Sequence, residues 1–311
     1  MTVVKNRLPI LRSLGLWTID GKGPIEVELF MELFEDAPQL QRIAIHHHTF
    51  RMIDPTTIPG TMGIAKSLAV KLFSQLTRIE ELCINSDLPP EFDGDVSALT
   101  FPFLKRLGVR EIRFLQLLNT PALEELYIDA LTVIMAIGDP YPELMRITAR
   151  FMKQEMHLKK VSIDSSRVRW ASFLLQNVPQ TVQDLVFVLY SADDLELLPL
   201  CSASRYLNSV TIQTHLNVFL RGMVDMAKSW ETQSSDGIGG IGPFENLQHL
   251  LLRPRGRDLS SYSAVVESFV KPFERRGVRC CVKPFDRDLH WKFHSDTDDI
   301  GLLCYVDTEC L

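Results

Sequence analysis

The sequence lacks the features that define several large classes of protein. Its 311 residues include only 6 cysteines, none in a Cys-x-x-Cys pair, too few for a disulfide scaffold. No uninterrupted apolar run approaches the roughly 18 residues that a membrane span needs, and scattered charges replace the apolar segment of a signal peptide at the N-terminus. We therefore expect a soluble protein with reduced thiols, cytoplasmic or nuclear, and no membrane contact.

A basic block is also missing. The formal net charge is -6, and both signs of charge are mixed along the chain. A nucleic-acid binder normally carries a clustered basic surface, so nucleic acid is not an expected partner. With 46% hydrophobic and 23% charged residues, the composition is that of a globular protein with ample apolar material for a core.

A short pattern, x-P-x-L-x-x-[LI]-x-[LIV], recurs along the chain. LPILRSLGL, APQLQRIAI, FPFLKRLGV and TPALEELYI match it in full, and five looser copies keep its spacing. The first apolar positions, here called slot one of each copy, are Leu11, Leu40, Ile79, Leu104, Leu123, Leu158, Val182, Leu207 and Leu247. They lie 19 to 40 residues apart, about 29 on average. A period of roughly 20–29 residues with L-x-x-L-x-L is the leucine-rich-repeat signature.

The spacing within each copy predicts a short strand. Slots four and six are two residues apart, so both side chains lie on one strand face and reach the core. Between the copies, residues 25–36 and 216–230 carry apolar stripes at helical spacing. Alternating strands and helices at this period predict an α/β fold, a leucine-rich-repeat solenoid or horseshoe with about nine irregular repeats. Parallel strands would line its concave face and helices its convex face.

The predicted repeat domain covers residues 1–285. The acidic residues 286–311 lack the repeat, and we expect them to form a C-terminal cap, as solenoid ends require, or a loose tail. A compact α/β domain with coincidental repetition is the alternative to the solenoid.

The phrases LPILRSLGLWTID, APQLQRIAI, FPFLKRLGV and TPALEELYIDAL resemble the leucine-rich-repeat regions of fungal F-box-like proteins, especially those of mushroom-forming fungi. The resemblance covers roughly residues 8–285. In that family an N-terminal F-box docks onto a cullin-RING ubiquitin ligase through an adaptor, and the repeats present a substrate. The first repeat here begins within ten residues of Met1, so no F-box is recognisable, and adaptor binding is expected only if an F-box exists upstream. The family has no fixed catalytic set, so no functional residue carries over.

The candidate binding residues come from slots three, five and seven, which would face the concave surface. Neighbouring strands lie about 4.8 Å apart, so these side chains would form a continuous grid. The residues that we expect to contact a protein partner are Trp17, Arg42, His46, Glu81, Arg106, Arg110, Glu125, Tyr127 and Asp129. Tryptophan, tyrosine and arginine dominate binding hot spots. The alternative is that opposite charges pair with each other across the strands.

Three consecutive histidines in IAIHHHTF raise the question of a metal site. On an extended chain only His46 and His48 could converge, and a zinc site needs three or four ligands. Cys83 and Asp87 occupy corresponding slots of the next repeat, but no spacing rule supports this set. We therefore predict no metal and no cofactor.

Motifs for catalysis are missing as well. The glycine-rich residues 232–244 follow a helix and precede a strand, the reverse of a phosphate-binding loop, so they are interpreted as a flexible insertion. We expect a non-enzymatic protein-protein interaction module and, more specifically, the substrate-recognition repeat domain of an F-box-like ubiquitin-ligase subunit. A free-standing leucine-rich-repeat scaffold without ligase linkage is one alternative, and a metal-binding or enzymatic protein is the second.

Overall fold

The structure, a computed structural model, describes twelve stretches of the chain. These are residues 12–16, 39–46, 76–85, 99–109, 112–129, 141–154, 157–164, 168–190, 192–215, 221–233, 243–255 and 263–283. The predicted helix at 25–36, the N-terminal part of the stripe at 216–230, most of the glycine-rich insertion and the segment 286–311 lie outside them. The main body of one compact unit ends at Leu123, and that of a second unit begins at Glu124.

Four parallel strands form the sheet of the first unit, in the order in which they follow along the chain. They are β1 (Ser13–Leu16), β2 (Arg42–His46), β3 (Glu81–Asn85) and β5 (Arg106–Val109). A separate parallel pair joins β4 (Leu99–Thr100) to β6 (Leu118–Asn119). A 3-10 helix, Ile112–Leu117, lies between β5 and β6.

Six parallel strands, again in chain order, form the sheet of the second unit. They are β7 (Glu125–Asp129), β8 (Lys160–Asp164), β9 (Asp184–Leu189), β10 (Ser209–His215), β11 (His249–Arg255) and β12 (Arg279–Val282). The described α-helices are α1 (Tyr141–Gln154), α2 (Val168–Gln176), α3 (Arg221–Gln233) and α4 (Ser263–Arg275). Two 3-10 helices, Ala192–Leu200 and Ser204–Tyr206, follow β9.

The strand register confirms the leucine-rich-repeat fold. Slot three of each strand pairs with slot three of the next, so that Glu125, Lys160, Asp184, Ser209, His249 and Arg279 form one row in the second unit. The chain is an α/β leucine-rich-repeat solenoid in both units. Nine strands coincide with the nine copies of the sequence pattern, and β12 adds a tenth.

A repeated backbone contact fixes this register just before each strand. The carbonyl oxygen of slot two accepts two N–H groups from the next repeat. In the second unit the Lys159 carbonyl accepts from Gln183 at 2.8 Å and from Asp184 at 3.0 Å. In the first unit the Glu80 carbonyl accepts from Lys105 at 2.8 Å and from Arg106 at 3.1 Å. Slot two therefore anchors each repeat to the one before it.

The core lies on the strand face that carries slots four and six. In β9, Leu185 and Phe187 have at most 1% of their surface exposed. The predicted helical stripe around residues 216–230 is confirmed for its described part, since Met223, Ala227 and Trp230 of α3 are buried. Helices α3 and α4 pack against each other, and the Trp230 ring meets those of Phe244 and Phe273 edge-on.

Two repeats use 3-10 helices where the alternation of strands and helices suggested α-helices. The slot-one residues that flank Ile112–Leu117 are only 19 residues apart. A 3-10 helix rises about 2.0 Å per residue against about 1.5 Å for an α-helix, so it spans a repeat with fewer residues. These helices were not predictable from the sequence because they lack the 3.6-residue period of an α-helix.

Gly277 ends α4 and turns the chain into β12. Its φ of 82° is the left-handed conformation that glycine adopts without steric cost. The Gly277 N–H donates to the Glu274 carbonyl and the Val278 N–H to the Phe273 carbonyl, which is the Schellman arrangement of a helix end. The turn places β12 directly against β11.

Candidate functional site

The face of each sheet that carries slots three, five and seven is the candidate site, and we call it the open face. On β7 and β8 it alternates with the core: slots four and six are buried, whereas Glu125, Tyr127, Lys160 and Ser162 keep part of their surface exposed. The side chains of the open face stand in rows across the strands, because the strands are parallel and in register.

In the first unit the open face brings together three of the predicted residues in slot three. The Arg42 Nε donates to the Ser13 hydroxyl at 2.6 Å, and the Arg106 guanidinium contacts the Glu81 carboxylate at 2.8 Å. Arg106 keeps 45% of its side chain exposed and Glu81 13%. This is the cross-strand pairing that the sequence analysis held as the alternative to partner binding, although the exposed side of Arg106 can still meet a partner.

Three predicted residues fall where the structure does not describe their side chains. Trp17 and Arg110 lie outside the described residues. His46 is the last residue of β2, but its side chain is outside the description, as are His48 and Asp87 of the hypothetical metal set. Cys83, the remaining member of that set, lies on β3 and is buried.

In the second unit the predicted residues Glu125, Tyr127 and Asp129 share the open face of β7. The Lys160 Nζ reaches the Glu125 carboxylate at 3.5 Å, and the Tyr127 hydroxyl donates to the Asp164 carboxylate at 3.4 Å. Asp129 pairs in register with Asp164, and 9% of its surface is exposed. Asp129 therefore lies on the open face but is largely buried.

Asp164 and Tyr190 form a contact that was absent from the predicted set. Asp164 is 2% exposed, and the Tyr190 hydroxyl donates to its Oδ1 at 2.5 Å. The Tyr190 N–H in turn donates to the Asp194 carboxylate at 2.7 Å. The sequence does contain one signal of this contact, namely two aspartates in slot seven of neighbouring repeats. A carboxylate that is buried needs hydrogen-bond donors close by.

Replacing Tyr190 with phenylalanine is expected to lower the free energy of unfolding by about 1.5–3 kcal/mol, because it removes a short hydrogen bond to a buried carboxylate. The matched control is Tyr127→Phe, which removes the 3.4 Å contact to the same carboxylate and should cost less than about 1 kcal/mol. Urea unfolding of the two variants measures the difference. An equal cost for both would show that the Tyr190 hydroxyl has no special role in holding Asp164.

Asp184 occupies slot three of β9, next to Lys160. Its partial burial raises the pKa of its carboxyl group above the usual value, while the charges of Lys160 and His249 act in the opposite direction. Lys160 thus stands between two carboxylates, those of Glu125 and Asp184. At the other end of the same row, Arg279 of β12 is exposed.

The exposed part of the open face is narrower than the full grid of slots. Val186, Thr211 and Leu251 in slot five are between 7% and 8% exposed, since short side chains are shielded by neighbours about 4.8 Å away on both sides. In the second unit the slot-three residues keep more of their surface exposed. A partner would meet the slot-three row first.

Two cysteines have thiol pKa values raised well above the usual value, which argues against a reactive role for them. Burial raises the pKa of Cys201 to about 11. Burial, together with the charges of Glu274 and Cys281, raises that of Cys280 to about 12. Both groups therefore stay protonated at neutral pH, and a protonated thiol is a poor nucleophile and a poor metal ligand.

Within the described stretches, no three side chains of histidine, cysteine, aspartate or glutamate are grouped so that they could bind a metal ion. None of the helices that the structure describes has the length and apolar character to cross a bilayer.

No family model matches the sequence, and no curated protein is similar to it at a significant level. Among solved structures, the chain is similar to the leucine-rich repeat-containing protein LegL7 from Legionella pneumophila. The two are 12% identical, the alignment covers 83% of this chain and 90% of that one, and the TM-score is 0.40. The fold assignment itself follows from the strand order, the register and the slot-two hydrogen bonds of this chain.

Proposed function

We propose that the chain is a non-enzymatic protein-interaction module that binds a protein partner on its open face. The observation that carries the proposal is the slot-three row, in which charged side chains of successive strands stand in register and keep exposed surface. Solenoid proteins use such extended faces to bind other macromolecules.

Arg106 offers the sharpest test in the first unit. Its ion pair with Glu81 is partly exposed, and such pairs contribute only about 0–1 kcal/mol to stability. Arg106→Glu removes this pair and sets a second carboxylate opposite Glu81, which should cost about 1–2 kcal/mol of stability and leave the protein folded. Because it reverses the charge at an exposed point of the open face, it should abolish the capture of the partner.

Lys105→Glu is the matched control. Lys105 is the neighbouring residue, carries the same charge and forms a 2.9 Å ion pair with Glu80, but it stands in slot two, beside the open face. Affinity purification from native extracts, quantified by mass spectrometry, would compare the three proteins. We expect one set of proteins to be retained by the unchanged chain and by Lys105→Glu and lost with Arg106→Glu. Retention by all three would contradict the proposed role of Arg106, as would a loss of stability in Arg106→Glu well beyond that in Lys105→Glu.

We further propose that the partner is a substrate presented to a cullin-RING ubiquitin ligase, which would place the chain in the cytoplasm or nucleus. The support is the resemblance of the repeat phrases to fungal F-box-like proteins. Purification of the product of the longest native transcript should recover the ligase adaptor. Recovery of a partner without any adaptor would overturn this role and favour the free-standing scaffold.

A further inference from the structure

The slot-three row of the second unit changes its charge from one end to the other. It begins with Glu125, Lys160 and Asp184 on β7 to β9 and ends with Arg279 on β12. The uncharged Ser209 lies between them, paired with both Asp184 and His249. The row is thus acidic at one end and basic at the other.

The acidic end carries Glu125 and Asp184 on either side of Lys160. Lys160 contacts Glu125 at 3.5 Å, and Asp184 keeps part of its surface exposed. Asp129 and Asp164, in slot seven of β7 and β8, are only 9% and 2% exposed. Asp184 is therefore the carboxylate of this end that an incoming cation would meet.

The basic end has no carboxylate in slots three, five and seven of the described strands β10 to β12. Arg279 is exposed at slot three of β12, whereas Arg253, at slot seven of β11, is only 5% exposed. An anionic side chain is attracted here, and an anionic polymer such as a nucleic acid would at the same time be repelled from the acidic end.

The distance between the two ends sets the length of the partner segment. Asp184 and Arg279 are three strand spacings apart along the row, which corresponds to about 14 Å at 4.8 Å per strand. In an extended peptide, residues four positions apart are about 13 Å apart and point to the same side. The row and an extended peptide laid across the strands therefore match in length.

We propose that this row binds an extended segment of the partner in which a basic and an acidic residue stand four positions apart. The basic side chain lies over Asp184, and the acidic side chain lies over Arg279. The residue midway between them lies between Ser209 and His249. This inference rests on the proposed function, since it specifies the chemistry of a partner for the same open face.

Synthetic peptides with blocked termini test the spacing and the charges. Four peptides of equal length share a serine and threonine background: one with Lys-x-x-x-Glu, one with adjacent Lys-Glu, one with Lys-x-x-x-Lys and one with Glu-x-x-x-Glu. Binding to the full chain is measured by fluorescence anisotropy at low ionic strength, where surface ion pairs are least screened. We expect Lys-x-x-x-Glu to bind about fivefold or more tightly than the other three.

A charge reversal at the basic end should switch the preference. Arg279→Glu makes both ends acidic, so Lys-x-x-x-Lys should become the tightest ligand. The control is Lys271→Glu, which reverses a charge on α4 in an exposed ion pair with Glu267 and should keep the original preference. A preference that ignores the spacing, or that does not change in Arg279→Glu, would overturn the inference.

Failure of this inference is separable from failure of the proposed function. A photo-crosslinking residue at Ser209 reports any protein on this face, whatever its charge pattern. If the peptides show no preference while Ser209 still captures a partner, the charge-pattern inference is wrong and the binding function stands. If the peptides show no preference and Ser209 captures no partner, both the charge-pattern inference and the proposed binding function are wrong.

Discussion

Replacing Phe187 with alanine is expected to lower the free energy of unfolding by about 3–5 kcal/mol. Phe187 fills slot six of β9 with none of its surface exposed, and it pairs in register with Ile163 of β8 and Ile212 of β10. Truncation there removes a large apolar contact and leaves a cavity between two repeats, which close-packed neighbours can fill only in part.

Val282→Ala is the control for this prediction. Val282 stands in the same row through Leu252 and Ile212, but it lies on β12 and is 37% exposed. Its truncation should cost less than about 1 kcal/mol, since little buried contact is lost. Chemical denaturation followed by circular dichroism measures both variants. Similar costs would mean that slot six does not form the core in the way described.

Replacing Gln183 with proline is expected to destabilise the protein by roughly 2–4 kcal/mol. The Gln183 N–H donates to the Lys159 carbonyl at 2.8 Å, and the Gln183 carbonyl accepts from Asn208 at 2.8 Å and from Ser209 at 3.1 Å. Proline removes the donor at this point and restricts the backbone where three repeats are joined. The loss should appear as a lower midpoint in the same denaturation experiment.

Gln183→Ala is the control that distinguishes the contribution of the Gln183 side chain to stability from that of its backbone. The side chain of Gln183 is exposed, so its removal should change the free energy of unfolding by less than about 0.5 kcal/mol. If alanine proved as damaging as proline, the slot-two hydrogen bonds could not be the cause, and the side chain would have to be.

The repeat register was predictable from the sequence because it depends on local spacing. Apolar residues at slots one, four and six can be buried together only if each copy turns inward and continues as a strand. The first residue of β7, β8 and β9 is accordingly slot three of its copy, namely Glu125, Lys160 and Asp184. Copies that lack the proline, such as the one around Val182, were found by the same spacing.

The candidate site was less predictable because it depends on contacts between repeats. Slot numbers place Asp164 on the open face, but they do not show that Tyr190 covers it with a 2.5 Å hydrogen bond. Likewise, the sequence left open whether Glu81 and Arg106 would meet a partner or pair with each other across the strands, and only the structure shows that they are joined at 2.8 Å. How far a side chain is shielded depends on the size of its neighbours on two other strands, which a single copy of the pattern does not contain.

The most direct test of the central claim, that a protein binds on the open face, is site-specific photo-crosslinking in native cells. The crosslinking residue would replace either Ser209, half-buried on the open face in β10, or Ser268, exposed on α4. If a protein binds on the open face, the crosslinking residue at Ser209 should capture one dominant partner. The crosslinking residue at Ser268 should not capture that partner. Crosslinks to the same partner from Ser268 alone would contradict this claim.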